Sequence, residues 1–151
     1  TAADIDEVGE IMVLRRSGWF SSKDRGHVDC DGDFFHDGRA DDVIISAGWT
    51  ISAREVEDAL LAYEPIAEAA AIGISDAIRG QIIKAFIVLR DGLSRPTPAQ
   101  VQTFVKTQLS AHAYPRKIEF VEELPKTPAG KVNRRALRER ETALQSESDN
   151  G

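Results

Sequence analysis

Apolar positions along the chain alternate between helical and strand-like spacing. Ala53, Val56, Leu60 and Tyr63 recur every three or four residues and predict an amphipathic helix. Ser52-Ala-Arg-Glu55 just ahead reads as a capping box, with Ser52 as N-cap and Glu55 three residues on. Pro65 stops this helix. Two apolar strands follow, about 66–74 (IAEAAAIGI) and 81–90 (QIIKAFIVLR), joined by a polar loop containing Asp76, Arg79 and Gly80. A turn-rich stretch from Asp91 to Pro98 leads to a second helix with Val101, Phe104, Val105 and Leu109 as its buried stripe. Lys117-Ile-Glu-Phe-Val121 alternates as a third strand. After a loop from Leu124 to Gly130, Asn133 is placed to cap a last, basic helix running to about residue 141.

The front of the chain has a different rhythm. Gly9–Arg15 is strand-like but has no evident partner. Asp31-Gly32 between two short runs signals a hairpin, because both residues tolerate positive φ. Val43-Ile-Ile45 is a short strand ending before Gly48. The order predicts an α+β fold: a small three-stranded sheet packed with two to three helices, preceded by a two-stranded β-hairpin. Residues 1–17 read as a remnant of a preceding domain or linker, 18–141 as the domain itself, and 142–151 as a disordered polar tail.

Composition narrows the function classes. With 151 residues, 42% apolar and 29% charged, the chain has the make-up of one soluble globular domain. A net charge of -6 argues against nucleic acid as a partner. From Arg116 to Arg140, however, eight Lys/Arg stand against four Asp/Glu, a local basic stretch in an acidic protein. The one cysteine, Cys30, excludes an internal disulfide and fits a reducing compartment. No run is long and apolar enough to span a bilayer, so the expectation is a cytoplasmic protein. His27, His36 and His112 have no metal-ligand spacing and read as surface or hairpin residues; no metal ligand is assigned.

Two segments carry candidate chemistry. In Pro125-Lys-Thr-Pro-Ala-Gly-Lys131-Val the Gly-Lys pair suggests a phosphate loop, but the pattern fails, because Pro125 and Val132 stand where a glycine and a Ser/Thr belong. What remains is a lysine on a proline-stiffened loop before a basic helix, suited to neutralising charge on a transferring phosphoryl group. On local sequence alone an exposed surface lysine is the readier reading. Asp24 and Arg39 bracket the predicted hairpin. A carboxylate there can accept ribose hydroxyls and a guanidinium can bind phosphate or ribose, although spacing alone favours a structural ion pair.

Together these segments resemble a family. Gly38-Arg-Ala-Asp-Asp-Val-Ile-Ile-Ser-Ala-Gly-Trp-Thr-Ile-Ser-Ala-Arg-Glu-Val-Glu57 looks like the linker and following loop of the adenylate-forming enzymes. Leu124-Pro-Lys-Thr-Pro-Ala-Gly-Lys-Val-Asn-Arg134 resembles their C-terminal lysine motif. Ile78–Leu89 and Tyr114-Pro-Arg-Lys-Ile-Glu-Phe120 look closest to the medium-chain acyl-CoA synthetase branch. The resemblance implies the small, mobile C-terminal domain of an ATP-dependent acyl-CoA ligase. Such a ligase forms an acyl-adenylate from a carboxylate and ATP, then a thioester with CoA. It implies Lys131 as the adenylation lysine, Asp24 and Arg39 as ATP/AMP contacts, and Asp41 as the hinge. It implies Ala47, Gly48 and Trp49 along the pantetheine channel, with Arg79, Lys106, Tyr114, Pro115 and Arg116 at the CoA nucleotide. ATP, CoA and Mg2+ would serve the complete enzyme, whose large N-terminal domain is not in this chain. The isolated chain is therefore expected to be inactive.

The chain departs from the family in three places. Ser22-Lys23-Asp24 stands where Thr-Gly-Asp is usual, Thr50 stands where an arginine or similar is common, and between Val13 and Trp19 the chain is shorter than the family by roughly two dozen residues. An adenylation domain loading a carrier protein is one alternative function. A standalone, non-enzymatic nucleotide- or CoA-binding module is the other.

Overall fold

The computed structural model describes residues 2–149, which form two compact units that meet between Val43 and Ile44. The first unit is an antiparallel sheet of β1 (Gly9–Arg15), β2 (Gly18–Val28) and β3 (Phe34–Arg39), in that order. The strand that lacked an evident partner pairs directly with β2, with Leu14 opposite Trp19 and Arg15 opposite Gly18. A tight turn at Arg16-Ser17 joins the two strands, so Gly9–Arg15 belongs to this sheet. The expected hairpin joins β2 to β3. Its loop is held by the Asp29 carboxylate, which accepts from the backbone N–H groups of Asp31 and Asp33 at 3.0 and 2.9 Å. A single 3-10 turn, Ala40–Asp42, ends the unit.

The second unit holds a small hairpin, β4 (Val43–Ser46) with β5 (Trp49–Ser52), running into helix α1 (Ala53–Leu61). Its main sheet has β7 (Gly80–Leu89) at the centre, antiparallel to β6 (Ile66–Asp76) and parallel to β8 (Lys117–Phe120). A parallel neighbour requires a crossover, and helix α2 (Pro98–Gln108) supplies it. Helix α3 (Arg134–Asp149) closes the chain. The α+β fold is as expected.

Successive side chains of a strand face opposite ways, and here both faces are covered. Ala69, Ala71, Ile83, Ala85 and Ile87 join the core under α1 and α2 with Val56, Leu60, Val101 and Val105. Ala70, Ile72, Ile74, Ile82 and Phe86 join Leu124 and Leu137 on the α3 side. Burial on both faces explains why β6 and β7 read as long apolar runs, interrupted by charge only at Glu68 and Lys84.

Three local expectations change. Ser52 is the N-cap of α1, but its side chain makes no capping hydrogen bond. The reciprocal capping box sits instead at Thr97 and Gln100, opening α2 ahead of Pro98. Helix α3 passes residue 141 and runs to Asp149: no proline or glycine interrupts it, and hydroxyls of Thr142, Ser146 and Ser148 fold back onto carbonyls one turn earlier. It is fastened to the sheet by Lys84 of β7, whose ammonium lies 2.5 Å from Glu141 and 2.8 Å from Glu119 of β8. Burial alone would lower the Lys84 pKa, but these two carboxylates outweigh it and hold the pKa above its ordinary value. The Lys84 hydrogen bond, aided by the charges of Lys84 and Arg140, keeps Glu119 below the ordinary carboxylate value despite its partial burial.

Candidate functional site

In the first unit, the pleat sets Asp24 of β2 opposite Arg39 of β3. The Arg39 NH1 reaches Asp24 Oδ1 at 3.5 Å and the Ser22 carbonyl at 3.4 Å. His36 Nε2 stands 3.4 Å from the same carboxylate oxygen. The pair is loose, and the Asp24 side chain stays 31% exposed, so the carboxylate remains open to hydroxyl donors. The ion pair that spacing favoured is thus present, with its carboxylate partly exposed. Lys23 beside it takes a left-handed backbone, φ 63, a conformation that suits glycine and disfavours a residue with a Cβ. The backbone of Asp41 lies in the 3-10 turn; its side chain lies outside the described residues.

In the second unit, the remaining residues form two groups. The first is built on the turn between β4 and β5. Ala47 and Gly48 both take left-handed backbone, φ 49 and 82, as a two-residue hairpin turn demands. Ala47 donates its N–H to the Arg79 carbonyl at 2.8 Å, and Arg79 Nε donates to the buried Ser46 hydroxyl at 3.3 Å. Part of the Arg79 guanidinium is therefore spent on bracing the turn. Trp49 is 55% exposed and stacks on His112, with ring centroids 3.9 Å apart and planes 11° from parallel. The Ser110 hydroxyl holds His112 Nε2 at 2.9 Å. Two residues on, the Tyr114 ring has Lys106 and Arg116 on it at 4.3 and 5.0 Å, a geometry in which cations and an aromatic attract. Pro115 is fully buried and its carbonyl accepts from Gln102 Nε2 at 3.1 Å. Buried Pro115 thus fixes its neighbours instead of meeting a ligand with its ring. His112 joins the loop residues to the cationic residues. Spacing in the sequence assigns His112 no role; the one signal it offers is its place two residues before Tyr114.

The second group is the Lys131 loop. The backbones of Lys126 and Val132 bridge across it. Thr127 donates its N–H to the Lys131 carbonyl at 2.7 Å, and its hydroxyl accepts from the Lys131 N–H at 3.2 Å. Gly130 N–H reaches the Thr127 carbonyl at 2.8 Å with φ 82, a turn that needs glycine. Asn133 N–H closes the base on the Pro125 carbonyl at 2.8 Å, and the Asn133 side chain caps α3 through Ala136 N–H at 3.1 Å. The Lys131 side chain is exposed at the rim of this rigid loop.

The two groups occupy opposite ends and opposite faces of the main sheet. Arg79 lies in the β6–β7 turn, and Arg116 N–H bonds the Ile83 carbonyl near the start of β7. The Lys131 loop is tied to the other end, through the ion pair of Lys126 with Glu68. Glu68 and Asp76 lie at the two ends of β6, about 25 Å apart at the rise of an extended strand. Tyr114 packs on the core under α1 and α2, whereas Val132 packs on the α3 side.

Among the described residues, no group of three or more His, Cys, Asp or Glu is placed to hold a metal ion. No helix among them is long and apolar enough to cross a membrane.

The family described as AMP-binding enzyme C-terminal domain matches residues 55–131. Acetyl-coenzyme A synthetase of Bacillus subtilis is 47% identical over 123 residues, 80% of this chain and 22% of that protein. The human mitochondrial acyl-coenzyme A synthetase ACSM4 is 44% identical over 141 residues, 91% of this chain and 24% of that protein. The chain thus spans about a quarter of the length of these relatives. Among solved structures, ATP-bound MatB from Rhodopseudomonas palustris superposes with a TM-score of 0.79 at 27% identity, over 91% of this chain and 31% of its own. The o-succinylbenzoate CoA synthetase MenE of Bacillus subtilis, in complex with the acyl-adenylate intermediate OSB-AMP, superposes with a TM-score of 0.76 at 27% identity, over 89% of this chain and 31% of its own.

Proposed function

The chain belongs to the AMP-binding enzyme C-terminal domain family, and from that premise we propose that it is the mobile domain of an ATP-dependent acyl-CoA ligase, serving two half-reactions with two different ends. In the first, a carboxylate attacks the α-phosphorus of ATP, forming the acyl-adenylate and releasing pyrophosphate. Lys131 neutralises charge developing on the reacting oxygens, and Asp24 and Arg39 hold the ribose and phosphate. In the second, the CoA thiol attacks the acyl carbon, the acyl–phosphate oxygen bond breaks, and AMP leaves. Ala47, Gly48 and Trp49 line the path of the pantetheine arm, while Arg79, Lys106 and Arg116 face the CoA phosphates and Tyr114 stacks on the adenine.

The observation that carries this reading is the separation of the two groups across the sheet. A lysine at one end and a cationic, aromatic surface at the other would take turns at one reaction centre only if the domain rotates. Asp41, in the turn just before residue 44, is the proposed hinge. Magnesium would accompany ATP, with no ligand from this chain. The large N-terminal domain of such a ligase would supply the acyl pocket and the phosphate loop, and the site of action would be the cytoplasm.

Without a pocket that sets carboxylate against phosphate, the chain lacks the positioning term of catalysis, so alone it should release no pyrophosphate from ATP, magnesium and a panel of carboxylic acids. Addition of a relative's large domain should restore thioester formation with free CoA. Transfer to a phosphopantetheinyl carrier but not to CoA would favour the carrier-loading alternative. Sustained pyrophosphate release by the chain alone, abolished in Lys131→Ala, would refute the proposed division of labour.

A further inference from the structure

The Lys131 loop ends on Arg134, the first residue of α3, and its guanidinium grips Glu57 of α1 with two parallel bonds. Nε donates to Oε1 at 2.6 Å and NH2 to Oε2 at 2.5 Å. Glu57 is only 7% exposed. Its Oε1 also accepts the backbone N–H of Ala71 in β6 at 3.2 Å. One buried carboxylate therefore joins α1, the sheet and the C-terminal stem of the loop. The N-terminal stem has its own tie, Lys126 to Glu68, but those side chains are 38% and 41% exposed, and exposed pairs hold little.

We propose that Glu57 is a positioning residue for adenylation: through Arg134 it fixes the Lys131 loop, and hence the place of the Lys131 ammonium. The inference rests on the reading of Lys131 as the adenylation cation. A buried ion pair is seldom more stable than apolar residues of the same volume, so its value here lies in the geometry it enforces. A forked guanidinium on a carboxylate fixes both distance and direction. The loop between Pro125 and Asn133 is cross-bonded within itself, so a displacement at Arg134 is passed to Lys131 three residues away. Inside the loop Val132 packs on the α3-side core; the charged ties that orient the loop on the domain are in its two stems, and of these the Arg134–Glu57 tie is the buried one.

Two variants separate placement from folding. Glu57→Gln keeps an oxygen for the Ala71 N–H but removes the charge. Arg134→Lys keeps the charge but loses the fork. The purified chain, labelled with nitrogen-15, reports on the loop directly. In either variant the Gly130, Lys131 and Val132 amides should shift, and their order parameters should fall from about 0.85 to below about 0.6, while amides of β6 and β7 stay as they were. Loop amides that remain unshifted and rigid in both variants would overturn the proposal. With a relative's large domain joined to the chain, adenylation should drop about 10- to 100-fold. Thioester formation from supplied acyl-adenylate should be retained, and neither variant should add to the loss already caused by Lys131→Ala. A further loss on the Lys131→Ala background would show that Glu57 acts by another route and would also overturn the proposal. If Lys131→Ala leaves adenylation intact, the functional reading of Lys131 fails, and the amide measurements alone decide whether Glu57 anchors the loop.

Discussion

Single residues show where this chain bears a local cost. Lys23 holds a left-handed backbone beside Asp24, at the position where the family resemblance implies a glycine. The Cβ penalty there is about 1–2 kcal/mol, and the extra freedom of an unfolded glycine offsets about 0.4–1 kcal/mol of it. Lys23→Gly should therefore raise the unfolding free energy by about 0.5–1 kcal/mol, read as a higher urea midpoint with unchanged slope; an unchanged or lower midpoint would contradict the strain. The Lys23–Glu10 pair, at 3.9 Å and exposed, has little to lose. His112 gives the second test at this scale. If its stack holds Trp49 in the pantetheine path, His112→Ala in the joined enzyme should raise the CoA KM about two- to tenfold, the equivalent of about 0.5–1.5 kcal/mol. His112→Phe should restore it. Equal KM values for all three proteins would remove His112 from the site.

The elements were legible in the sequence to differing degrees, for reasons that particular residues make plain. Helices α1 and α2 carry an apolar period and strands β6 and β7 long apolar runs, so the pattern alone found them. The partner of β1 was hidden because only two residues, Arg16 and Ser17, separate it from β2 and carry no glycine of their own. Strand β5 is four residues long, too short for a periodic signal, and Ser52 takes the N-cap position without the side-chain hydrogen bond its pattern predicts. The length of α3 was underestimated because its last turns are polar; one of its anchors is a charge, Glu141 on Lys84. That anchor makes a pH prediction. Glu119 has a folded pKa below its unfolded one, so its contribution is present above the unfolded value of about 4.3 and is lost as pH falls through the folded value. Lys84 has a raised folded pKa, so its contribution is present below about 10.4 and is lost as pH rises through the folded value. Glu119→Gln should flatten the acid limb of urea midpoint against pH relative to the parent chain. An acid limb of undiminished steepness would place the acid sensitivity elsewhere.

At the scale of the molecule, the site could be read from sequence only through motifs matched to a family. Local spacing around Lys131 favoured a plain surface lysine, and nothing in the order of residues said that Trp49 and His112 would stack, or that Lys106 and Arg116 would meet on Tyr114. Those contacts arise because β8 runs parallel to β7, which brings the segment before β8 to the turn carrying Arg79 and sends the segment after it away, to the Lys131 loop. This division is the core of the proposed function, and one paired measurement tests it most directly. In the chain joined to a large adenylating domain, the two half-reactions are timed separately for Lys131→Ala and Arg116→Glu. Lys131→Ala should slow adenylation by about 100- to 1,000-fold, the usual cost of one preorganised charge-stabilising donor, while sparing thioester formation from supplied acyl-adenylate. Arg116→Glu should leave adenylation intact and raise the CoA KM, by about tenfold for a well-formed charge-assisted contact. Loss of the same half-reaction in both variants, to the same extent, would contradict a domain that works with two opposite ends.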